Sequence, residues 1–125
     1  MPHKGALKYH IVWCTKYRRN VLTPNVQERF KELIAEKCER NKYELFEIEV
    51  MPDHVHIFCG ADAKTSIHRI VSQLKGYTSH VLKKEFNFLT TRLPALWTRS
   101  YYAGTIGTVS EETVRMYIQN QKTRS

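Results

Sequence analysis

The sequence predicts an α+β domain with the ferredoxin-like split βαβ fold, in which two helices cover one face of a four-stranded antiparallel sheet. Strand-like and helix-like segments follow one another in the order β-α-β-β-α-β, and a further helix comes last. Both long helical segments carry a single apolar stripe, as helices packed on a sheet require. The chain has 125 residues, enough for one core but short for two, so we predict one domain over residues 1–125.

The first three predicted elements lie before residue 51. Residues 6–15, ALKYHIVWCT, are rich in β-branched and aromatic side chains and predict a strand, which a basic loop follows. Pro24 to about Asn41 predicts an amphipathic helix, because Thr23 suits the N-cap and apolar residues recur at helical spacing. Residues 43–50, YELFEIEV, predict the second strand.

The third strand carries two histidines. The segment VMPDHVHIFCG continues from the second strand through a Pro-Asp turn, which predicts a hairpin. Because side chains alternate along a strand, Val55, Ile57 and Cys59 share one face. His54 and His56 share the other face. The apolar face must be the one that the helices cover, so we expect both imidazoles to point to the open face of the sheet.

The remaining elements follow after residue 61. Thr65 or Ser66 is suited to cap a second long helix, whose apolar residues keep to one stripe as far as about Glu85. A proline loop then leads to a fourth strand, predicted around residues 96–102. Ser110 is suited to cap a last helix, EETVRMYIQNQ.

Composition and charge limit the classes of function. The net charge of +8 favours a polyanionic partner such as nucleic acid, and a solvated basic surface is the alternative. No apolar run approaches the roughly 18 residues of a membrane helix, and the N-terminus lacks a signal-peptide pattern, so we expect a cytoplasmic protein without a membrane partner. Cys14, Cys38 and Cys59 form no C-x-x-C pair, which is typical of small buried residues rather than disulfides or a zinc ribbon.

The last helix offers partners for the histidines. One face carries, at i, i+3, i+4 and i+7, the residues Val114, Tyr117, Ile118 and Gln121. If this helix packs across an open sheet face, its own or a partner's, a phenol and an amide meet the two imidazoles. Imidazole nitrogens and an amide oxygen can bind a divalent ion that leaves positions for phosphate oxygens. The phenol can then act as a nucleophile.

Other interpretations remain open. The same four residues also fit solvent-facing strand positions and an ordinary amphipathic helix. A histidine phosphotransferase or phosphodiesterase of the H-x-H-x-H type would need a third histidine where this chain has Phe58. A zinc site that includes Cys59 is disfavoured, because alternation sends this side chain to the opposite face. A non-catalytic module of ferredoxin-like fold that binds single-stranded nucleic acid stays the main alternative, although such modules place aromatic residues on the open face.

Several segments together resemble a known family. HVHIF matches the HUH motif, two histidines around a hydrophobic residue, and YIQNQ matches a tyrosine-bearing helix. KYHIVWCTKYRRNVL, MPDHVHIF and LWTRSYYAGTIGTVSEETVRMYIQNQ extend the likeness over nearly the whole chain. The sequence thus resembles the single-tyrosine HUH transposases of the smallest bacterial and archaeal insertion sequences, the "IS two-hundred" type. Thr108 departs from the family, in which a second glycine is common at this position.

The resemblance implies an enzyme, a DNA strand transferase that needs a metal ion. By this resemblance His54, His56 and Gln121 would hold Mg²⁺ or Mn²⁺, and Tyr117 would attack a phosphate of single-stranded DNA. A 5′-phosphotyrosine bond forms and a 3′-hydroxyl leaves, so no nucleotide cofactor is needed. The family implies a homodimer that recognises DNA hairpins near the element's ends, with an active site that the tyrosine of the partner can complete.

Five further residues are weaker candidates. Four basic side chains are candidate contacts to DNA phosphates, with a solvated surface as the alternative: Lys16, Arg18, Arg19 and Lys75. Asp53 precedes the histidine strand and is a candidate carboxylate partner that orients His54, although Pro-Asp is also ordinary turn chemistry.

Overall fold

The computed structural model describes residues 7–105 and 111–124, which form four strands, four α-helices and one 3₁₀ turn. In chain order these are β1 (Leu7–Cys14), the 3₁₀ turn (Lys16–Arg18), α1 (Pro24–Asn41), β2 (Glu44–Val50), β3 (His54–Ala61), α2 (Ile67–Glu85), α3 (Phe88–Arg92), β4 (Tyr102–Thr105) and α4 (Glu111–Arg124). The predicted α+β class and the order of the strands and long helices are confirmed. The short helix α3 is an element that we did not predict.

The four strands form one antiparallel sheet in the order β2-β3-β1-β4. The central pair is β1 and β3, in which Val12 lies opposite His56 and Cys14 lies opposite His54. On its other side, β1 pairs with β4, so that Val12 also lies opposite Tyr102. Both histidines therefore lie on a central strand, β3, next to the other central strand, β1.

One face of the sheet packs on α1 and α2, as predicted. Ile11, Trp13, Val55 and Ile57 are fully buried in a single core with the apolar stripes of the two helices. Trp13 packs edge-to-face against Phe30 and Trp97, with ring centroids 6.1 and 5.7 Å away. All three cysteines are buried thiols, which confirms their expected role.

The prediction for the fourth strand was wrong in its position. The strand begins at Tyr102, and the preceding segment is irregular apart from one bridge between Trp97 and Thr15. Trp97 is drawn into the core, and the carbonyl oxygens of Thr98 and Ser100 accept hydrogen bonds from the Lys75 ammonium. In this segment, these contacts with the core and with Lys75 stand in place of a regular ladder with β1.

The helix boundaries follow their capping residues. Of the two candidate caps for α2, Ser66 is the one that accepts a hydrogen bond, from the backbone N–H of Arg69. The helix α1 ends at Lys42, whose left-handed backbone (φ 62°) terminates it. Ser110 and Thr108 lie outside the described residues. Within residues 7–105 and 111–124, no helix is both long and apolar enough to cross a membrane.

Candidate active site on the open sheet face

The last helix covers part of the sheet face opposite the core. Val12 and Cys14 point away from the core residues of β1, yet both are fully buried. The helix α4 contacts β1, and the Tyr102 hydroxyl, on the same face, donates to Thr113 Oγ1 on α4 at 3.1 Å. The helix therefore packs across the sheet of its own chain. This is one of the two arrangements that the sequence left open.

One serine joins the two polar residues of α4. Ser100 Oγ donates to Gln121 Oε1 at 2.7 Å and lies 3.0 Å from the Tyr117 phenol oxygen. A serine has one hydroxyl proton and an amide oxygen only accepts, so Tyr117 must be the donor in its bond to Ser100. Gln121 is 6% exposed, and Thr98 Oγ1 lies 3.5 Å from the same amide oxygen. Ser100 therefore contacts both polar side chains, which lie one turn apart on α4.

The environment of Tyr117 keeps its phenol protonated. Burial raises the pKa of Tyr117 well above its ordinary value, and the hydrogen bond with Ser100 lowers it only in part. A cavity of about 370 Å³ opens beside the ring, and its walls include Lys16, Arg99 and Ser100. The phenol therefore faces a space with two basic side chains, but it must lose its proton before or during any attack.

The first histidine has the carboxylate partner that the sequence suggested. His54 Nδ1 lies 2.8 Å from Asp53 Oδ1, which leaves Nε2 as the nitrogen available to a ligand. Burial alone would raise the pKa of Asp53, but its hydrogen bonds with His54 and Arg18 outweigh this and hold the pKa below its usual range. The second carboxylate oxygen of Asp53 accepts from Arg18 Nε at 2.7 Å.

The second histidine has a neighbour that the sequence analysis missed. His56 Nε2 lies 3.2 Å from His10 Nδ1, and the His10 ring stacks on Phe58 with centroids 4.4 Å apart. Burial, and next the nearby His10 ring, lowers the pKa of His56, which favours its neutral imidazole. His10 stands on β1 at an open-face position, and the alternation of that strand was the only sequence signal that pointed to it.

The basic residues have different surroundings. Lys16 lines the cavity beside Tyr117, whereas Arg19 is exposed. Arg18 pairs with Asp53, and Lys75 is half-buried under the loop that carries Ser100. The phosphate contacts proposed for these four residues stay predictions.

Two groups of predicted residues therefore lie on one sheet face. Tyr117 and Gln121 are joined through Ser100, and His54 is bound to Asp53. Cys59 points into the core, which removes it from any zinc site with the histidines. Among the residues described, no three His, Cys, Asp or Glu side chains are grouped so as to hold a metal ion, and the predicted set differs in having an amide as its third member.

Known proteins are similar to this chain in sequence and in fold. A family model described as "Transposase IS200 like" matches residues 3–121. The ISDra2 transposase TnpA of Deinococcus radiodurans is 32% identical over 117 residues, which cover 92% of this chain and 84% of that protein. A crystal structure of a proposed transposase from Deinococcus radiodurans has a TM-score of 0.82 at 36% identity, covering 93% of this chain and 91% of the other.

A more distant structure resembles the chain in fold alone. A REP-associated tyrosine transposase, solved with a bound REP hairpin, has a TM-score of 0.60 at 13% identity. The likeness covers 90% of this chain and 62% of the other chain. It extends the fold described here to a protein that was solved with a bound REP hairpin.

Proposed function

Because the chain belongs to the family of IS200-like transposases, we propose that it cleaves and rejoins single-stranded DNA through a covalent bond to Tyr117. The observation that carries the proposal is the packing of α4 on the sheet face to which β3 presents His54 and His56. This packing supports the proposal, because it brings the helix that carries the phenol and the amide to the sheet face that carries the two imidazoles. Tyrosine nucleophiles and neutral imidazole ligands are suited to phosphoryl transfer.

The proposed chemistry exchanges one phosphodiester for another. The Tyr117 oxygen attacks phosphorus, the bond from phosphorus to the 3′-oxygen breaks, and this oxygen leaves as a 3′-hydroxyl after taking up a proton. The reverse attack by a 3′-hydroxyl on the phosphotyrosine rejoins the DNA, so no nucleotide cofactor is required. Because burial raises the pKa of Tyr117, its proton has to leave to a base as the new bond forms; the Ser100 hydroxyl in contact with the phenol orients that proton but is not basic enough to take it.

The predicted metal ligands have suitable chemistry. His54 has Nδ1 bound to Asp53 and so offers Nε2, while the lowered pKa of His56 favours the neutral imidazole that metal binding requires. Gln121 would add its amide oxygen. A bound Mg²⁺ or Mn²⁺ would supply Lewis-acid polarisation of a phosphate oxygen.

The proposed partner is single-stranded DNA that carries hairpins near the element's ends. The net charge of +8 and the basic residues Lys16 and Arg99 beside Tyr117 support a polyanionic substrate. The distant relative solved with a REP hairpin supports recognition of a DNA hairpin. We further propose a cytoplasmic homodimer, in which the tyrosine helix could also complete the partner's site.

One observation favours the non-catalytic alternative. Phe58, stacked on His10, also contacts Phe46 with ring centroids 4.8 Å apart, and Phe46 is 39% exposed. Aromatic side chains on an open sheet face can stack unpaired bases. A pure binding module would use this surface without forming any covalent bond, so the two functions differ in a measurable product.

The test is the formation of a covalent adduct. Labelled single strands from both flanks of the coding region are incubated with the protein in Mg²⁺ or Mn²⁺, or in chelator, and run on denaturing gels. We expect a metal-dependent adduct that Tyr117→Phe abolishes while DNA binding is retained, because only the hydroxyl is lost. The matched control is Tyr77→Phe, which removes a hydroxyl bound to Glu36 on the other side of the sheet. Binding of proven end strands without an adduct would favour the alternative function.

A further inference from the structure

The turn after β1 holds an arginine in an unusual backbone conformation. Tyr17 and Arg18 have φ angles of 57° and 54°, in the left-handed region that residues with a Cβ rarely adopt. Two such residues in succession cost free energy, so surrounding contacts must stabilise the turn. The Arg18 side chain makes two of these contacts.

The Arg18 guanidinium touches both halves of the candidate site. Its Nε donates to Asp53 Oδ2 at 2.7 Å, and the other oxygen of this carboxylate is bound to His54. Its Nη1 donates to the backbone carbonyl of Ile118 at 3.4 Å. Ile118 follows Tyr117 on α4, and α4 contacts the turn that carries Arg18. A single side chain therefore links a histidine to the helix of the tyrosine.

We propose that Arg18 is a positioning residue, which orients His54 through Asp53 and holds Tyr117 in place through the backbone of α4. The inference rests on the proposed function and extends it, since it gives this arginine a role other than contact with DNA. Through the carboxylate, Arg18 fixes which nitrogen of His54 faces a ligand. Through the carbonyl, it fixes where α4 lies on the sheet.

The chemistry of the side chain fits this double role. A guanidinium carries donors that point in several fixed directions, so it can span a carboxylate and a carbonyl at once. A lysine offers one charged centre on a flexible stem and cannot reproduce both contacts. The next residue, Arg19, is exposed and carries the same charge, so Arg19→Ala measures how much DNA affinity is lost with one positive charge at this turn.

The experiment compares Arg18→Ala, Arg18→Lys and Arg19→Ala with the wild type. Three quantities are measured: the rate of adduct formation at saturating DNA, the Kd for the same strand, and the Kd for Mn²⁺ from the electron paramagnetic resonance signal of the free ion. Arg18→Gln, which keeps a side-chain donor, replaces Arg18→Ala if the alanine variant does not fold.

We expect Arg18→Ala to slow adduct formation and weaken Mn²⁺ binding by about 10- to 100-fold, the usual cost of losing a partner of a metal ligand. The Kd for DNA should change no more than it does in Arg19→Ala. Arg18→Lys should fail to restore the rate. If Arg18 acts on the metal site through Asp53, the double variant Arg18→Ala/Asp53→Asn should bind Mn²⁺ no more weakly than the worse single variant.

Two results would overturn the inference. One is an Arg18→Ala protein that loses only DNA affinity, which would make Arg18 a phosphate contact. The other is a variant with wild-type Mn²⁺ affinity and adduct rate. Failure of the proposed function would be distinguishable from these results, because the wild type itself would then form no adduct. The Mn²⁺ titrations would still decide whether Arg18 acts on His54.

Discussion

The Ser100 hydroxyl lies 3.0 Å from the phenol oxygen of Tyr117 and accepts a hydrogen bond from it. The same serine donates to Gln121 Oε1, so one residue outside α4 sets the positions of two side chains on it. Lys75 on α2 donates hydrogen bonds to the carbonyl oxygens of Thr98 and Ser100 and so holds the loop that carries this serine. The position of the tyrosine therefore depends on a chain of polar contacts that begins on α2.

Replacing this serine tests the relationship. Ser100→Ala should slow adduct formation roughly fivefold, because a hydrogen bond of this kind contributes about 1 kcal/mol to placing its partners. The measurement is the single-turnover rate at saturating DNA and metal. Ser72→Ala, on an exposed position of α2, is the matched control and should leave the rate unchanged. An unchanged rate in Ser100→Ala would mean that the loop does not position Tyr117.

The buried ammonium under the loop predicts a pH dependence of stability. Burial lowers the pKa of Lys75 to about 8 from its ordinary value of 10.5. Between these values the unfolded chain holds a proton that the folded chain has released, so the free energy of unfolding contributed by this group rises with pH. Below pH 8 the folded protein carries the full cost of the buried charge.

Lys75→Met isolates this effect, since every other group titrates in both proteins. The difference in unfolding free energy, wild type minus variant, should increase from pH 8 towards pH 10 in urea titrations. A constant difference over this range would show that Lys75 keeps its ordinary pKa in the folded protein. A falling difference would contradict the sign of the shift.

Substitutions on the two faces of β3 should have different effects, one on stability and the other on activity. Ile57→Ala removes a fully buried side chain from the core and should lower the free energy of unfolding by about 2–5 kcal/mol. His56→Ala changes the open face and should leave the protein folded but abolish metal-dependent cleavage. Chemical denaturation and the adduct assay check both variants. Full activity of His56→Ala in Mg²⁺ or Mn²⁺ would remove this histidine from the metal site.

The sequence predicted what depends on periodicity. Alternation along β3 placed the histidines on the open face, and helical spacing gave α1 its bounds of Pro24 and Asn41, because burial repeats at the period of the backbone. Capping chemistry narrowed the start of α2 to two residues, one of which is the cap.

What the sequence did not predict depends on contacts between distant residues. The bond from Arg18 to the Ile118 carbonyl joins residues 100 positions apart, and no local pattern specifies it. The same holds for the irregular segment before β4, where Lys75 binds the carbonyl oxygen of Thr98, 23 residues further along the chain. Ser100 and His10 entered the site only through partners on other elements.

The proposed role of Tyr117 as nucleophile is tested most directly by locating the covalent bond between protein and DNA. Trypsin releases residues 116–122, MYIQNQK, in which Tyr117 is the only tyrosine, whereas Tyr101 and Tyr102 fall in a different peptide. The adduct is isolated, trimmed with nuclease, digested and sequenced by tandem mass spectrometry. We predict a phosphonucleotide on Tyr117 and an unmodified peptide when metal is chelated. A nucleotide on another tyrosine, or an adduct that persists in Tyr117→Phe, would exclude Tyr117 as the nucleophile.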